Sequence, residues 1–433
     1  MRTRFAVLLG WLLTALVLPG TAGPPEDKLV IITPHWAGIR KEYEAGFQRW
    51  LRDTKKVATA VKLEWLTGQG SSDIYRQIES DFVAKRPTRI DVVFGGGVEN
   101  FINFARNGYL QKAPSAAAKA IPAELRGVPL RDKYDLWHGA ALSAFGLMYN
   151  NAVLAKEKLP TPKEWSDLAR PEYRRFVGAT DPRHSGSFHM MCEIMLQANG
   201  WDRGWEVLTG MMANARSIGQ AAPQVPRDVA RGEVAVGAVI DFYARQEIAQ
   251  AGAAGQRLGY VIPVAQTVIT PDPIAILKGA PHRKASLLFV EYVLSEGQKL
   301  LVLTKGSKGG PRQFTLGRLP MLPALYDKAA EAVIGNTNPF KAGKGLDYSE
   351  EKGSARRLVL SDLIGALLVD NHAQLQRAWS ADSSGARLAT LAKPPITEAE
   401  ALELAKKWKD PLVRNQTLAR WQNFARAKYQ ALQ

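Results

Sequence analysis

The order of apolar and polar positions divides residues 28 to about 300 into alternating strands and helices. KLVIITPHW (28–36) begins as a continuous apolar run that ends at Pro34, which predicts a strand buried on both faces. In KEYEAGFQRWLRDT, Tyr43, Phe47, Trp50 and Leu51 recur at helical spacing. VKLEWLTG (61–68) alternates and predicts a second strand. SSDIYRQIESDFVAK carries Ile74, Ile78 and Phe82 four apart, a helix capped by Ser72 or Asp73. IDVVFGGG (90–97) is a short apolar strand ending in three glycines, and VENFINFARNGYL follows as a helix stopped by Gly108. This alternation predicts an α/β unit with a mostly parallel sheet.

The second half reads in the same way. ALSAFGLMYN (141–150) and GEVAVGAVI (232–240) are apolar strands. Phe188, Met191, Cys192 and Met195 line one face of a helix that Asn199 and Gly200 end, and WDRGWEVLTGMMANA starts the next. The stretch 258–278 is extended and broken by Pro263, Pro271 and Pro273, and RKASLLFVEYVLSEGQKLL predicts one long amphipathic helix. Residues 305–350 are rich in Gly, Pro and Lys, and from 352 onward the pattern is helical with polar breaks.

Length adds that 433 residues exceed one ordinary core, so two packed units are expected. The formal charge of +16 is spread along the chain, with no run of five or six Lys/Arg and no aromatic–basic RNA-binding motif. A generally basic surface and an anionic small molecule fit this better than nucleic acid. Arg2 and Arg4, the apolar run 5–18 and the small residues 19–23 make a signal peptide, residues 1–22, cleaved near Ala22, which places the mature chain in the periplasm. Its loss leaves +14, because residues 1–22 carry two arginines and no acid. A single cysteine, Cys192, excludes an internal disulfide, and no later segment is apolar enough to span a membrane.

Three polar or glycine-rich turns share one context. LTGQGSSD, VVFGGGVEN and GATDPRHSGS each precede a helix, where the first N–H groups lack internal partners and the dipole is positive. Glycine admits a ligand to the backbone and serine supplies a hydroxyl. At the carboxyl ends of strands in an open sheet, all three turns can face one cleft. Each turn taken singly is explained as well by a cap or a tight bend; the repetition favours a ligand. Enzyme motifs fail: GxxxxGK[ST], HExxH, GxSxG and CxxC are all missing from the sequence.

The order of the TGQGSSDI turn, IDVVFGGG, ALSAFGLMYNN, TDPRHSGS, NGWDRGWEVL, RGEVAVGAVIDFYA, PDPIAILKGAPHRKAS and FVEYVLSEGQKLL resembles the type II periplasmic solute-binding proteins of ABC importers. The nearest branch holds ferric-iron, thiamine, phosphonate and sugar-phosphate binders, and the resemblance covers roughly 28–305. It implies a two-lobed α/β fold: 23–144 as the first part of lobe 1, 145–262 as lobe 2, 263–340 as the return to lobe 1. Residues 341–433 are left as a helical C-terminal extension. The implied ligand-binding residues are His35, Trp36, Gly70, Ser71, Ser72, Gly96, Gly97, Ser143, Ser185, Gly186, Ser187, Asp241 and Tyr243. The expected protein is not an enzyme, has no cofactor and no resident metal, and is a monomer. Its expected partners are a small anionic solute and an ABC permease in the inner membrane, with no nucleic acid. A phosphorylated or phosphonate solute suits the serine and glycine turns. The alternatives are ferric iron, for which such proteins present adjacent tyrosines where this chain has Phe242 and Tyr243, and a periplasmic hydrolase, which needs His35 or His184 beside a buried serine.

Overall fold

In the computed structural model the described residues are 28–67, 70–335, 337–341, 345–382 and 384–433. The expected signal peptide, residues 1–22, and its expected cleavage site lie outside them. A ten-stranded sheet runs through the molecule. Its path is Lys62–Leu66, Lys28–Ile32, Val92–Phe94, Ile269–Leu277, His138–Asn150, Val236–Ile240, Val177–Thr180 and Ala215–Gly219. Two further strands pair off this path, Leu110–Gln111 on Ile269–Leu277 and Leu258–Val261 on His138–Asn150.

The sheet is mixed rather than mostly parallel. Pairing is parallel within each lobe, at Lys28–Ile32 with both neighbours and at Val177–Thr180 with both neighbours. It is antiparallel where the two long strands cross between the lobes. A crossover returns the chain in the opposite direction, so the strands that join the lobes cannot continue the parallel order. His138–Asn150 pairs with Ile269–Leu277 through its first half and with Val236–Ile240 and Leu258–Val261 through its second.

Of the strands of four or more described residues, the sequence pattern leaves out two, Val177–Thr180 and Ala215–Gly219. Both are short, and the second carries Arg216 and Ser217 exposed, which hides the apolar run. The extended stretch 258–278 is two strands, Leu258–Val261 and Ile269–Leu277. The long helix predicted from 283 ends at Leu294.

Each lobe has its own core. Lobe 1 packs Tyr43, Phe47, Phe94, Phe289 and Tyr292 on one face of its sheet and Ile74, Ile78, Phe101 and Phe104 on the other. Lobe 2 packs Trp165, Trp205, Met211, Met212 and Phe188. The C-terminal helices join that second core through Val359, Leu363, Leu367, Trp379, Trp421 and Tyr429. They are therefore fused to lobe 2 by apolar burial rather than tethered beside it.

Candidate functional site

The carboxyl ends of the strands in both lobes open on a cleft of about 440 Å³. Its wall is made largely of helix starts. Gly70 and Ser71 begin Ser71–Val83; Gly97, Val98, Glu99 and Asn100 begin Val98–Arg106; Ser185, Gly186 and Ser187 begin Gly186–Asn199; Phe242 and Tyr243 begin Asp241–Gln250; and residues 220–223 lead into Gln224–Arg231. Every one of these ends carries partial positive charge and N–H groups without helical partners.

Ten of the residues singled out in the sequence lie on this wall: His35, Gly70, Ser71, Gly96, Gly97, Ser143, Ser185, Gly186, Ser187 and Tyr243. Three do not. Trp36 caps the start of Ala37–Asp53 and packs edge-on against Phe314 at 5.2 Å, so its ring belongs to lobe packing. Asp241 is fully buried and accepts from its own neighbour Phe242 N at 2.8 Å and from Arg245. Ser72 is off the cleft wall, donates to the Pro182 carbonyl at 3.3 Å and accepts from Arg357 at 2.9 Å. The first cap falls two or three residues earlier than the pattern suggests, with Gly70 rather than Ser72 or Asp73 at the N-cap of Ser71–Val83, and Ser185 caps its helix by accepting from Phe188 N at 3.2 Å.

At one end of the cleft the glycine turn is already filled. Gly96 N donates to Asp272 Oδ1 at 2.6 Å, and Gly97 N lies 3.5 Å from the same oxygen. Asp272 Oδ2 accepts from Arg318 at 2.8 Å and lies 2.9 Å from His35 Nε2. Arg318 also reaches His35 Nε2 at 2.9 Å and Ser143 Oγ at 3.1 Å, and its guanidinium lies 4.3 Å from the Phe242 ring centre. Burial opposes charge on Asp272, yet Arg318 and His35 hold its carboxyl well below the usual carboxylate range. Burial also lowers the His35 pKa, so the ring is neutral and its Nε2 serves Asp272 or Arg318, one at a time. The protein's own carboxylate thus takes the backbone donors that the sequence offers to a ligand.

The other end is more open. Ser71 Oγ accepts from Gly186 N at 3.0 Å, which brings the two lobes into direct contact. The contact needs glycines: a Cβ on Gly70 would stand 1.8 Å from the His184 carbonyl oxygen, and one on Gly186 2.2 Å from Ser71 Oγ. Asn100 donates to the Gly96 carbonyl at 2.6 Å, while its buried Oδ1 has no partner among the described residues. At the rim His184 pairs with Asp73 at 3.1 Å, and Arg183 is held between Asp181 and Asp370, at 2.7 Å from each.

Behind this end lies a buried polar network that the sequence does not announce. Glu99 accepts from Tyr348 at 2.7 Å, and its other oxygen lies 3.3 Å from His189 Nε2 and 3.7 Å from Arg357. Burial raises the Glu99 pKa, but His189, Arg357 and Tyr348 together hold it below its ordinary value. Arg357 itself is on the cleft wall. It lies within the ARRL run, residues 355–358, in a tail that pattern alone reads only as helical with polar breaks; two adjacent arginines beside apolar residues are the one signal that marks it.

Residues 90–306, half of the chain, match the family described as bacterial extracellular solute-binding protein. The chain is 27% identical over 294 residues to the phosphoglycerate transport regulatory protein PgtC of Salmonella typhimurium, a stretch covering 68% of this chain and 66% of that relative. The chain thus spans just under two thirds of the length of that relative. The fold is shared with AfuA from Actinobacillus pleuropneumoniae, solved with fructose-6-phosphate bound (TM-score 0.60, 21% identity, 81% of this chain and 97% of that one). It is shared too with the apo ferric ion-binding protein A of Pasteurella haemolytica (TM-score 0.60, 16% identity, 78% of this chain and 96% of that one). Two lobes around a cleft and a sequence match over half the chain agree, and the protein belongs to the bacterial extracellular solute-binding protein family.

Proposed function

We propose that the protein is the periplasmic substrate-binding component of an ABC importer, which captures a small phosphorylated or phosphonate solute and delivers it to a membrane permease. In this reading residues 1–22 are a cleaved signal peptide, 23–144 and 263–340 form one lobe and 145–262 the other, 341–433 are a helical C-terminal extension, and the protein works as a monomer. The observation that carries the reading is the convergence of five helix starts on one cleft. Helix N-termini favour anions without a fully ionised partner, and about 440 Å³ suits a small solute. Ser71, Ser185, Ser187 and Asn100 supply hydroxyl and amide groups to hold its polar atoms. PgtC by its name and AfuA by its bound sugar phosphate agree with this class.

The iron alternative has less support. Burial pushes the Tyr243 phenol up to about 12, which works against the phenolate a ferric ion needs. The hydrolase alternative meets a geometric obstacle. Ser361, His189 and Glu99 do line up, with Ser361 Oγ 2.9 Å from His189 Nδ1, but neither Ser361 nor His189 is on the cleft wall, and His189 is fully buried.

Thermal unfolding and calorimetry with phosphoglycerate, fructose-6-phosphate, a simple phosphonate, their unphosphorylated parents and ferric citrate test the reading. A phosphorylated ligand at 100 times its Kd should add about 2.7 kcal/mol of stability, and its parent far less. Stabilisation by ferric citrate alone, or by none of the anions, overturns it.

A further inference from the structure

We propose that the C-terminal arm completes the solute site: the helix Glu350–Ile364 supplies Arg357 as the side chain that binds the anionic group. This rests on the anionic-solute reading and adds a residue that lies beyond the matched region 90–306.

Among the described residues three arginines are almost fully buried: Arg318, Arg356 and Arg357. Two are paired with carboxylates at hydrogen-bond distance. Arg318 meets Asp272 at 2.8 Å, and Arg356 holds Glu193 at 2.7 and 3.1 Å and Glu398 at 2.5 Å. Arg357 is different. Its nearest carboxylate oxygen, on Glu99, is 3.7 Å away and is shared with His189. Its Nη2 donates to a neutral hydroxyl, Ser72 Oγ, at 2.9 Å. A buried guanidinium with so loose a counter-ion is costly unless an anion joins it. Of the three, it alone lines the cleft. It also stands at the anion-favouring end, since a Cβ on Gly186 would lie 3.5 Å from its Nη2.

The arm is built to hold that position from both sides. On lobe 1, Asn103 donates to the Ser354 carbonyl at 3.0 Å and Tyr348 donates to Glu99. Gly353 permits the approach, because a Cβ there would stand 2.4 Å from the Tyr348 hydroxyl and 2.6 Å from Glu99. On lobe 2, Arg356 grips Glu193, Ser361 meets His189, and Ser349 N donates to Gln197 at 2.7 Å. A guanidinium delivered this way reads both lobes at once and pairs with phosphate in a planar, two-point geometry that a helix start cannot offer.

The test uses the full mature chain, with phosphoglycerate, inorganic phosphate and unphosphorylated glycerate as probes. Arg357→Gln should weaken both phosphate-bearing probes about tenfold or more, the scale of a lost charge-assisted hydrogen bond, and leave glycerate binding within twofold. Arg357→Lys should recover part of the loss. Ser72→Ala, which removes the hydroxyl holding the guanidinium but touches no ligand, should lower the phosphate-to-glycerate preference by a smaller factor and remains available if Arg357→Gln does not fold. A folded Arg357→Gln protein, or a Ser72→Ala protein, with wild-type preference for the phosphate-bearing probes overturns this inference and leaves the anionic-solute reading standing. A wild-type protein that binds neither phosphate-bearing probe overturns both.

Discussion

One end of the cleft has a buried arginine on its wall and the other has one behind its wall, and they are wired in opposite ways. At the Arg318 end the protein supplies its own anion: Asp272 sits in the backbone donors of the glycine turn and pairs with Arg318 at 2.8 Å. At the Arg357 end the nearest carboxylate is 3.7 Å off and already engaged by Tyr348. One end is a finished ion pair that ties the strand Ile269–Leu277 to the return segment at residue 318. The other leaves a positive side chain and several helix starts facing open space. Charge in a cleft is therefore not evidence of a ligand by itself; what matters is whether the protein has already neutralised it.

The sharpest way to break the comparison is to remove the internal anion. Asp272→Ala leaves Arg318 buried without its carboxylate and should cost about 3–5 kcal/mol, the usual price of an uncompensated buried charge. Urea unfolding measures it, and Arg318→Met added to Asp272→Ala should restore much of the loss. If Asp272→Ala unfolds at the wild-type urea midpoint, the Arg318 end is not a structural ion pair.

Acid sharpens the same contrast. The Asp272 pKa is lowered on folding, so its contribution to stability is present above the ordinary carboxylate pKa of about 3.9 and falls away as pH drops below it towards the folded value. In that window the unfolded chain binds a proton that the folded chain refuses. Asp272→Asn should therefore lose less stability between about pH 5 and pH 2 than the wild type does. Parallel urea curves for the two proteins across that range would remove Asp272 from the acid response.

The contact between the lobes offers a smaller effect. Gly186→Ala places a methyl 2.2 Å from Ser71 Oγ, so the lobes cannot meet as they do here without a local shift. Overpacking of this kind costs about 1–3 kcal/mol, charged to the closed arrangement, so ligand affinity should fall about five- to hundredfold. The melting temperature of the ligand-free protein should change little. An unaltered affinity by calorimetry would mean that ligand binding does not need this contact.

How much of this was legible in the sequence follows the reach of each interaction. The strand ends and helix starts are local: apolar runs, glycines and serines at fixed offsets place Ser71, Gly97, Ser185 and Gly186 at one cleft. Local pattern does not fix which serine turns inward, so Ser71 rather than Ser72 lines the wall, and Gly70 rather than Ser72 is the cap. Arg318, Asp272, Glu99 and Arg357 were not legible because their partners are far along the chain: Arg318 lies 46 residues from Asp272, and Arg357 lies 285 from Ser72. Arg318 sits in a stretch that reads as loop, and Asp272 between two prolines. Only the tertiary fold turns these four side chains into a site.

The smallest effect expected is a gain. Glu350 opens the arm's helix and is buried, and neither carboxyl oxygen has a hydrogen-bond partner among the described residues. Burial, with the negative charges of Glu99 and Glu193 nearby, pushes its pKa well above the ordinary carboxylate value. The helix start favours a negative group there, but desolvation outweighs it. A carboxyl whose folded pKa is raised contributes stability that is fully present below its unfolded pKa and is lost as pH rises through the folded one. Glu350→Gln keeps the shape and removes the charge, so at pH 7 it should stabilise the protein by about 1–2 kcal/mol and the difference should vanish near pH 4. The effect sits on the same arm as Arg357 yet away from the cleft wall, so phosphate affinity should hold while stability rises. Urea unfolding at pH 4 and pH 7 reads it directly. Equal stability at both pH values would mean that the arm carries no buried carboxyl strain and that Glu350 reaches water.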